Sequence, residues 1–193
     1  MPDKAENTTG DLFALAARLG KGKLPPVASW QPEFCGDIDL RIARDGTWYY
    51  MGTPIGRRRL VKLFSTVLRR EGEKYFLVTP VEKLGITVDD APFVAVEADA
   101  RGHGRGQEIV FRTNVDELLT AGAEHPVRVA ENSDTGEPAP YILVRDGLEA
   151  LIARPVYYQL AALGETDSDS GEGAFGVWSG GRFFVLGHLD PES

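Results

Sequence analysis

Alternation of apolar and polar positions dominates the chain. Ile38, Leu40 and Ile42 alternate with Asp37, Asp39 and Arg41, the two-residue period that turns one face of a strand inward. Asp45-Gly46 follows with the residue types a tight hairpin turn demands, and TWYYMG reads as the return strand. After Pro54 the period lengthens. Leu60, Val61, Leu63, Phe64, Val67 and Leu68 take the i, i+1, i+3, i+4, i+7, i+8 spacing of a buried helical face. Arg57, Arg58, Arg59, Lys62, Arg69 and Arg70 fall on that helix's other faces. KYFLVTPV, PFVAVEADA and QEIVFRTN return to strand patterning, the last two joined by RGHGRG. Asn114 and Glu117 have the spacing of a capping box and predict a short helix ending near Gly122.

HPVRVAE begins a second set of strands, continued by APYILV, a turn at Asp146-Gly147, and LEALIA. Pro155 opens a helix, VYYQLAAL, which Gly164 stops. ETDSDSGEG reads as an acidic loop, and FGVWSGGRFFVLGHL as a hairpin turning at Gly180-Gly181. At the other end, Leu12, Leu15, Ala16 and Leu19 predict a helix over Asp11–Leu19. The Pro-rich stretch that follows, KGKLPPVASWQPEF, cannot be regular structure.

One string occurs twice. Arg-Asp-Gly begins at Arg44 and again at Arg145, 101 residues later, each with a proline nine residues beyond the aspartate. Flanking apolar positions agree: Ile42 with Leu143, Tyr50 with Leu151, Ile55 with Val156. Both copies read strand, D-G turn, strand, proline-started helix. This predicts an α+β fold of two related subdomains from an internal duplication. The expected divisions are an N-terminal helix and Pro-rich connection over 1–30, a first subdomain over 31–113 and a second over 114–193. Sites commonly form where such units meet, so a ligand cleft is expected between them.

Charge sharpens that expectation. The net charge of −8 argues against DNA and acidic membranes as partners. Residues 1–113 hold 17 basic against 15 acidic side chains, whereas 114–193 hold 4 against 14, so an anion site belongs in the first half. Cys35 is the single cysteine, which rules out an intramolecular disulfide and a thiolate metal cluster. His103, His125 and His188 show no zinc-ligand spacing. MPDKAENTTG has no apolar leader core, and no apolar run approaches the ~20 residues that span a bilayer. A cytoplasmic, soluble protein is the expectation.

Candidate chemistry gathers near the first helix. Arg57 lies in its first turn, where a guanidinium joins the unbonded N–H groups and the positive end of the helix dipole. With Arg58 it could grip a phosphate or carboxylate through paired hydrogen bonds; the plainer reading is a solvated helix coat. Lys83, in TPVEK, is a second candidate cation. Trp48 and Tyr50 project from one strand face and could stack on a base, although core packing also explains them. Tyr157 stands at the matching helix start of the second copy. Asp89 and Asp90 could hold Mg²⁺ beside a phosphate, or simply solvate a turn. RGHGRG lacks the strand-to-helix setting of a dinucleotide fingerprint and reads as a hairpin tip. Cys35 could be a sensor thiol, but with no basic neighbour in sequence it reads as a half-buried structural cysteine. No nucleophile elbow, P-loop or paired-histidine motif is present, and no cofactor is named.

The stretch CGDIDLRIARDGTWYYMGTPIGRRRLVKLFSTVLRREGEKYFLVTPVEKLGITVDDAPF, residues 35–93, resembles the bacterial family catalogued as domain of unknown function 1285. DGTWYYMGTPI, the LVKLFSTVLRRE helix, TPVEK and DDAPF carry the likeness, with Thr53 where that family is expected to have serine. The resemblance implies an α+β fold with a duplicated core, and a C-terminal unit superficially like a pleckstrin-homology barrel. It also implies a pocket at the domain interface, a nucleotide-like ligand and a role in signal transduction, with no enzymatic activity attached. The combined expectation is a non-enzymatic ligand-binding or regulatory protein, with Arg57, Arg58, Lys83, Trp48, Tyr50 and Tyr157 as ligand contacts. Two alternatives remain: a protein-interaction adaptor using the basic helix or the 165–173 loop, and a metal-dependent phosphoesterase using Asp89 and Asp90.

Overall fold

The computed structural model describes residues 24–131, 135–170 and 173–189. The helix expected over 11–19 lies outside them, as do Gly171 and Glu172 of the acidic loop. The described chain is α+β, rich in sheet with few helices. It forms two compact units that divide between Asp90 and Ala91. This division precedes the 113/114 boundary expected from the sequence, because the strands over 93–113 pair into the second unit's sheet.

In the first unit, β1 (Phe34–Ile42) turns at Asp45-Gly46 into β2 (Trp48–Tyr50), with Trp48 opposite Ile42 and Tyr50 opposite Leu40. The Asp45 carboxylate accepts the Thr47 N–H at 2.9 Å and closes the turn. Pro54 does not open a helix. It sits opposite Tyr49 in the short edge strand β3 (Thr53–Pro54), where a proline's missing donor faces no partner. Helix α1 runs over Arg58–Thr66, and β4 (Leu68–Glu71), β5 (Lys74–Val78) and β6 (Lys83–Val88) complete a sheet of order β3-β2-β1-β6-β5-β4. β1 and β6 are parallel; the other neighbours are antiparallel.

The apolar run of the first helix is longer than the helix. Val67 and Leu68 are buried as the helical period requires, yet Leu68 already faces Leu77 in the β4–β5 ladder. Arg69 and Arg70 are therefore strand residues, not part of the helical coat. The stop is local. Ser65 and Thr66 turn their hydroxyls back onto the carbonyls of Lys62 and Leu63 at 2.6 and 2.7 Å, a bond that competes with continued helix. β6, which Lys83 opens, carries no alternation because Leu84 and Gly85 are both buried.

The second unit pairs β7 (Phe93–Arg101), β8 (Glu108–Thr113), β9 (Leu118–Thr120), β10 (Val127–Glu131), β11 (Pro138–Arg145) and β12 (Leu148–Ile152) in the order β10-β11-β12-β7-β8-β9. Asp146 and Gly147 both have positive φ, 44° and 75°, as a two-residue primed hairpin turn needs. Helix α2 (Arg154–Ala162) begins with proline in its first turn. A three-stranded sheet of β13 (Glu165–Thr166), β14 (Ala174–Ser179) and β15 (Arg182–His188) closes the unit. The helix expected after Asn114 is absent. Asn114 instead accepts the Val94 N–H through its side-chain oxygen at 3.1 Å, and Asp116 takes φ 64° in a tight β8–β9 turn. Long-range pairing outcompeted a local capping pattern.

The repeat thus holds locally: D-G hairpin, then a nine-residue helix, in each copy. Wiring differs. The first hairpin strand, β1, takes the parallel neighbour in one unit, whereas the second, β12, takes it in the other by pairing with β7.

Ser179 ties the small sheet to the large one. Fully buried, its hydroxyl donates to the Ala121 carbonyl at 2.8 Å and accepts the Ile109 N–H at 2.9 Å. Nearby, the Gln107 side-chain amide donates to the Trp178 carbonyl at 2.9 Å. Ser179→Ala leaves both backbone groups without a partner in a dry site. Unfolding by urea is expected to show a loss of about 1–3 kcal/mol; an unchanged midpoint would show that another group takes over both bonds.

Candidate functional site

The start of α1 is built from basic residues, with no acid in its first turn. Arg57 is the N-cap in an extended conformation, makes no side-chain cap, and no acid stands in the first turn. The Leu60 and Val61 N–H groups both bond to the Arg57 carbonyl, at 2.9 and 3.2 Å. Arg57, Arg58 and Arg59 are all exposed. Three guanidinium groups at the positive end of a helix dipole repel one another and the dipole, and a bound anion relieves both terms.

The last turn of the helix is held by the core. Phe64 stacks on Trp48 with ring centroids 6.2 Å apart and planes at 25°. Trp48 is 1% exposed, and its buried indole Nε1 has no hydrogen-bond partner among the described residues. Tyr50, two residues on, is half-buried. Trp48 therefore anchors α1 through Phe64, while Arg57 and Arg58 are exposed at its other end.

Lys83 belongs to a different group of charges. Its ammonium lies 3.0 Å from Glu71 Oε2 and 4.8 Å from the Phe76 ring centre. Arg69 binds the same Glu71 carboxylate and donates to the Trp30 carbonyl at 2.7 Å, fixing the Pro-rich approach against β4. Hydrogen bonds from Lys83 and then Arg69 hold the Glu71 carboxyl below its ordinary value. Tyr157, in the second unit, donates its hydroxyl to the Leu186 carbonyl at 2.9 Å, and burial raises its phenol.

Asp89 and Asp90 are both engaged by arginines. Arg41 Nε donates to Asp89 Oδ1 at 2.8 Å and a second guanidinium nitrogen meets Oδ2, while Arg44 lies 3.2 Å from Asp90. Arg44 is the arginine of the first R-D-G copy. Its counterpart Arg145 holds Glu117 at 2.6 Å and lies 5.2 Å from the Phe93 ring centre. In both copies, then, the repeated arginine anchors a carboxylate. Among the described residues, no group of three or more His, Cys, Asp or Glu side chains is placed to hold a metal ion. Cys35 is exposed, with its thiol 3.4 Å from the Glu33 carbonyl. The RGHGRG tip forms a single 3-10 turn over Gly104–Gly106; Arg105 lies 4.8 Å from the Trp178 ring centre and 3.2 Å from Asp169.

Sequence reasoning did not find these anchors. Arg41 and Asp89 are 48 positions apart, Arg145 and Glu117 28 apart, and only strand pairing brings them together. The one available signal was the repeated arginine itself.

Hydrogen bonds from Arg41 lower the Asp89 pKa. A carboxyl depressed in the folded state contributes stability above its unfolded value of about 4 and loses it as pH falls through the folded one. The melting-temperature gap between wild type and Asp89→Asn is expected in full at neutral pH and to shrink steadily below about pH 4. A gap that is constant with pH would mean the ion pair contributes nothing.

Two family models match the chain in succession. Residues 25–91 match "Domain of unknown function (DUF1285), N-terminal domain", and residues 92–186 match "Protein of unknown function (DUF1285), C-terminal domain". A crystal structure of a DUF1285 family protein from Silicibacter pomeroyi DSS-3 is similar at 52% sequence identity, with a TM-score of 0.85, over 92% of this chain and 95% of that one. A second, from Shewanella baltica OS155, is 28% identical over 62% of this chain and 87% of that one, with a TM-score of 0.49. No curated protein matches. The first of these relatives spans nearly all of the described fold, so both units are common to the two proteins.

Proposed function

The chain belongs to the DUF1285 family, and from that premise we propose that it is a ligand-binding regulatory protein taking an anionic, nucleotide-like ligand at the start of α1. One observation carries the reading: three exposed arginines in succession at a helix N-terminus with no capping side chain and no acid in the first turn. A terminal phosphate placed there accepts hydrogen bonds from unbonded backbone N–H groups and a forked pair from a guanidinium. Arg57 and Arg58 are the contacts proposed. Trp48 supports the helix from the core, and Tyr50, Lys83 and Tyr157 serve the surrounding structure.

The geometry disfavours phosphoester hydrolysis through Asp89 and Asp90. A divalent cation at either carboxylate would have to displace the guanidinium of Arg41 or Arg44. The nucleotide element of the proposal rests on the family resemblance; the anion element rests on the helix start. Exposed contacts of this kind weaken as salt screens them.

Thermal unfolding against a panel of nucleotides at low ionic strength tests the reading, beside Arg57→Ala. A ligand at a hundred times its dissociation constant adds about 2.7 kcal/mol to stability. The expected result is a raised midpoint for at least one nucleotide, smaller at high salt and lost in Arg57→Ala. A panel without any shift would sink the proposal, and so would a shift that Arg57→Ala leaves intact.

A further inference from the structure

The second unit carries an arginine held by two weak contacts on a pliable support. Between β7 and β8 the chain reads Gly102-His103-Gly104-Arg105-Gly106, and Gly102 and Gly104 take φ 79° and 53°. Glycines on both sides of Arg105 give its backbone wide conformational freedom, and a side chain at Gly104 would meet open space. From this tip the Arg105 guanidinium reaches over the Trp178 ring, 4.8 Å from its centre, and lies 3.2 Å from the Asp169 carboxylate. Both charged groups stand out in solvent, with side chains 70% and 80% exposed. Asp169 belongs to the 3-10 turn Ser168–Ser170, which the Ser170 N–H closes on the Asp167 carbonyl at 3.2 Å.

What the arginine covers is fixed. The Gln107 amide holds the Trp178 carbonyl, and the hydroxyl of the next residue, Ser179, is buried between the Ile109 N–H and the Ala121 carbonyl. Trp178 faces Phe183 across the β14–β15 ladder, with ring centres 5.3 Å apart and both residues half-buried. The cluster is a rigid aromatic pair with a movable cation on one face, and an acid from a separate loop keeps the cation there. An exposed ion pair and an exposed cation–π contact are each weak, so a closed form outnumbers an open one by a factor on the order of ten. A contact so near balance responds to the ionic content of the solvent.

We propose that Arg105 and Asp169 form an ionic latch that governs access to the Trp178–Phe183 pair. Closed, the guanidinium lies on the indole and Asp169 compensates its charge. Open, with the guanidinium taken by salt or a competing anion, the glycine-rich tip moves off and the indole face is presented to an apolar or aromatic partner group. The latch lies wholly in the second unit and uses no residue of α1, so it stands or falls independently of the anion reading.

Acrylamide quenching of tryptophan fluorescence tests the latch. The chain has three tryptophans. Trp48 is 1% exposed and shielded from the quencher, and Trp30→Phe removes the second, which leaves Trp178 as the reporter. In that background the quenching constant is expected to rise roughly 1.5- to 2-fold between low salt and about 1 M, where charges are screened beyond about 3 Å. Asp169→Asn keeps the shape and removes the charge. It is expected to show the raised constant already at low salt, with little further change on adding salt, and Arg105→Gln to behave alike. Should Trp30→Phe fail to fold, the Trp178 indole N–H resonance of the native chain, assigned by its loss in Trp178→Phe, reads the same change. A low-salt signal in Asp169→Asn equal to that of its parent would overturn the proposal, and so would a salt response as large in Asp169→Asn as in the parent.

Discussion

Parallel pairing of β1 with β6 is the joint on which the first unit depends. The two strands are separated in sequence by a hairpin, a helix and two further strands, and parallel neighbours always need such a crossover. Once they meet, much else follows. Lys83 is set at the strand mouth beside Glu71, the Asp89 N–H bonds to the Ile42 carbonyl at 3.0 Å, and Asp89 comes within reach of Arg41. In the second unit the pairing of β12 with β7 has the same standing, placing Ala150 against Phe93 and Ile152 against Ala95 among fully buried residues. Each unit is one long-range parallel contact elaborated by local hairpins.

The arginines around these joints divide by what surrounds them. Arg41, Arg44, Arg69 and Arg145 are committed to carboxylates or backbone carbonyls, where they fix strand ends. Exposed pairs of this kind contribute little singly, but the bidentate Arg41–Asp89 contact and the partly buried Arg145–Glu117 contact define geometry. Arg57, Arg58 and Arg59 are exposed on a helix start that has no acid in its first turn. That concentration of positive charge at the positive end of a helix dipole is what the anion proposal rests on.

The irregular pairing of β1 is the other departure in this unit. A bulge and a glycine disrupt the central strand pair, at a cost in pairing and in backbone freedom. Such departures concentrate where a side chain must be aimed. In the first unit the Trp48–Phe64 stack anchors the last turn of α1, and the β1 irregularity sets the register of the central strand pair.

Local order was legible in the residues themselves. The alternation around Ile38–Ile42, the D-G turns, the proline opening of α2 and the Gly180-Gly181 hairpin are all short-range, and short-range sterics decide them. The basic start of α1 was readable in part: Arg58 opens the helix, whereas Arg57 is its extended N-cap and not the first-turn residue expected. Tertiary structure decided the remainder. Leu68 satisfied the helical period and the strand equally well, and only Leu77 across the ladder chose between them. Asn114 had a capping partner in sequence but a better one in the Val94 N–H. Asp37 lies on the exposed side that alternation predicts, but that its carboxylate sits over Gly85 follows only from strand register. Patterns of period and turn are properties of a few consecutive residues; register between distant strands is a property of the whole chain.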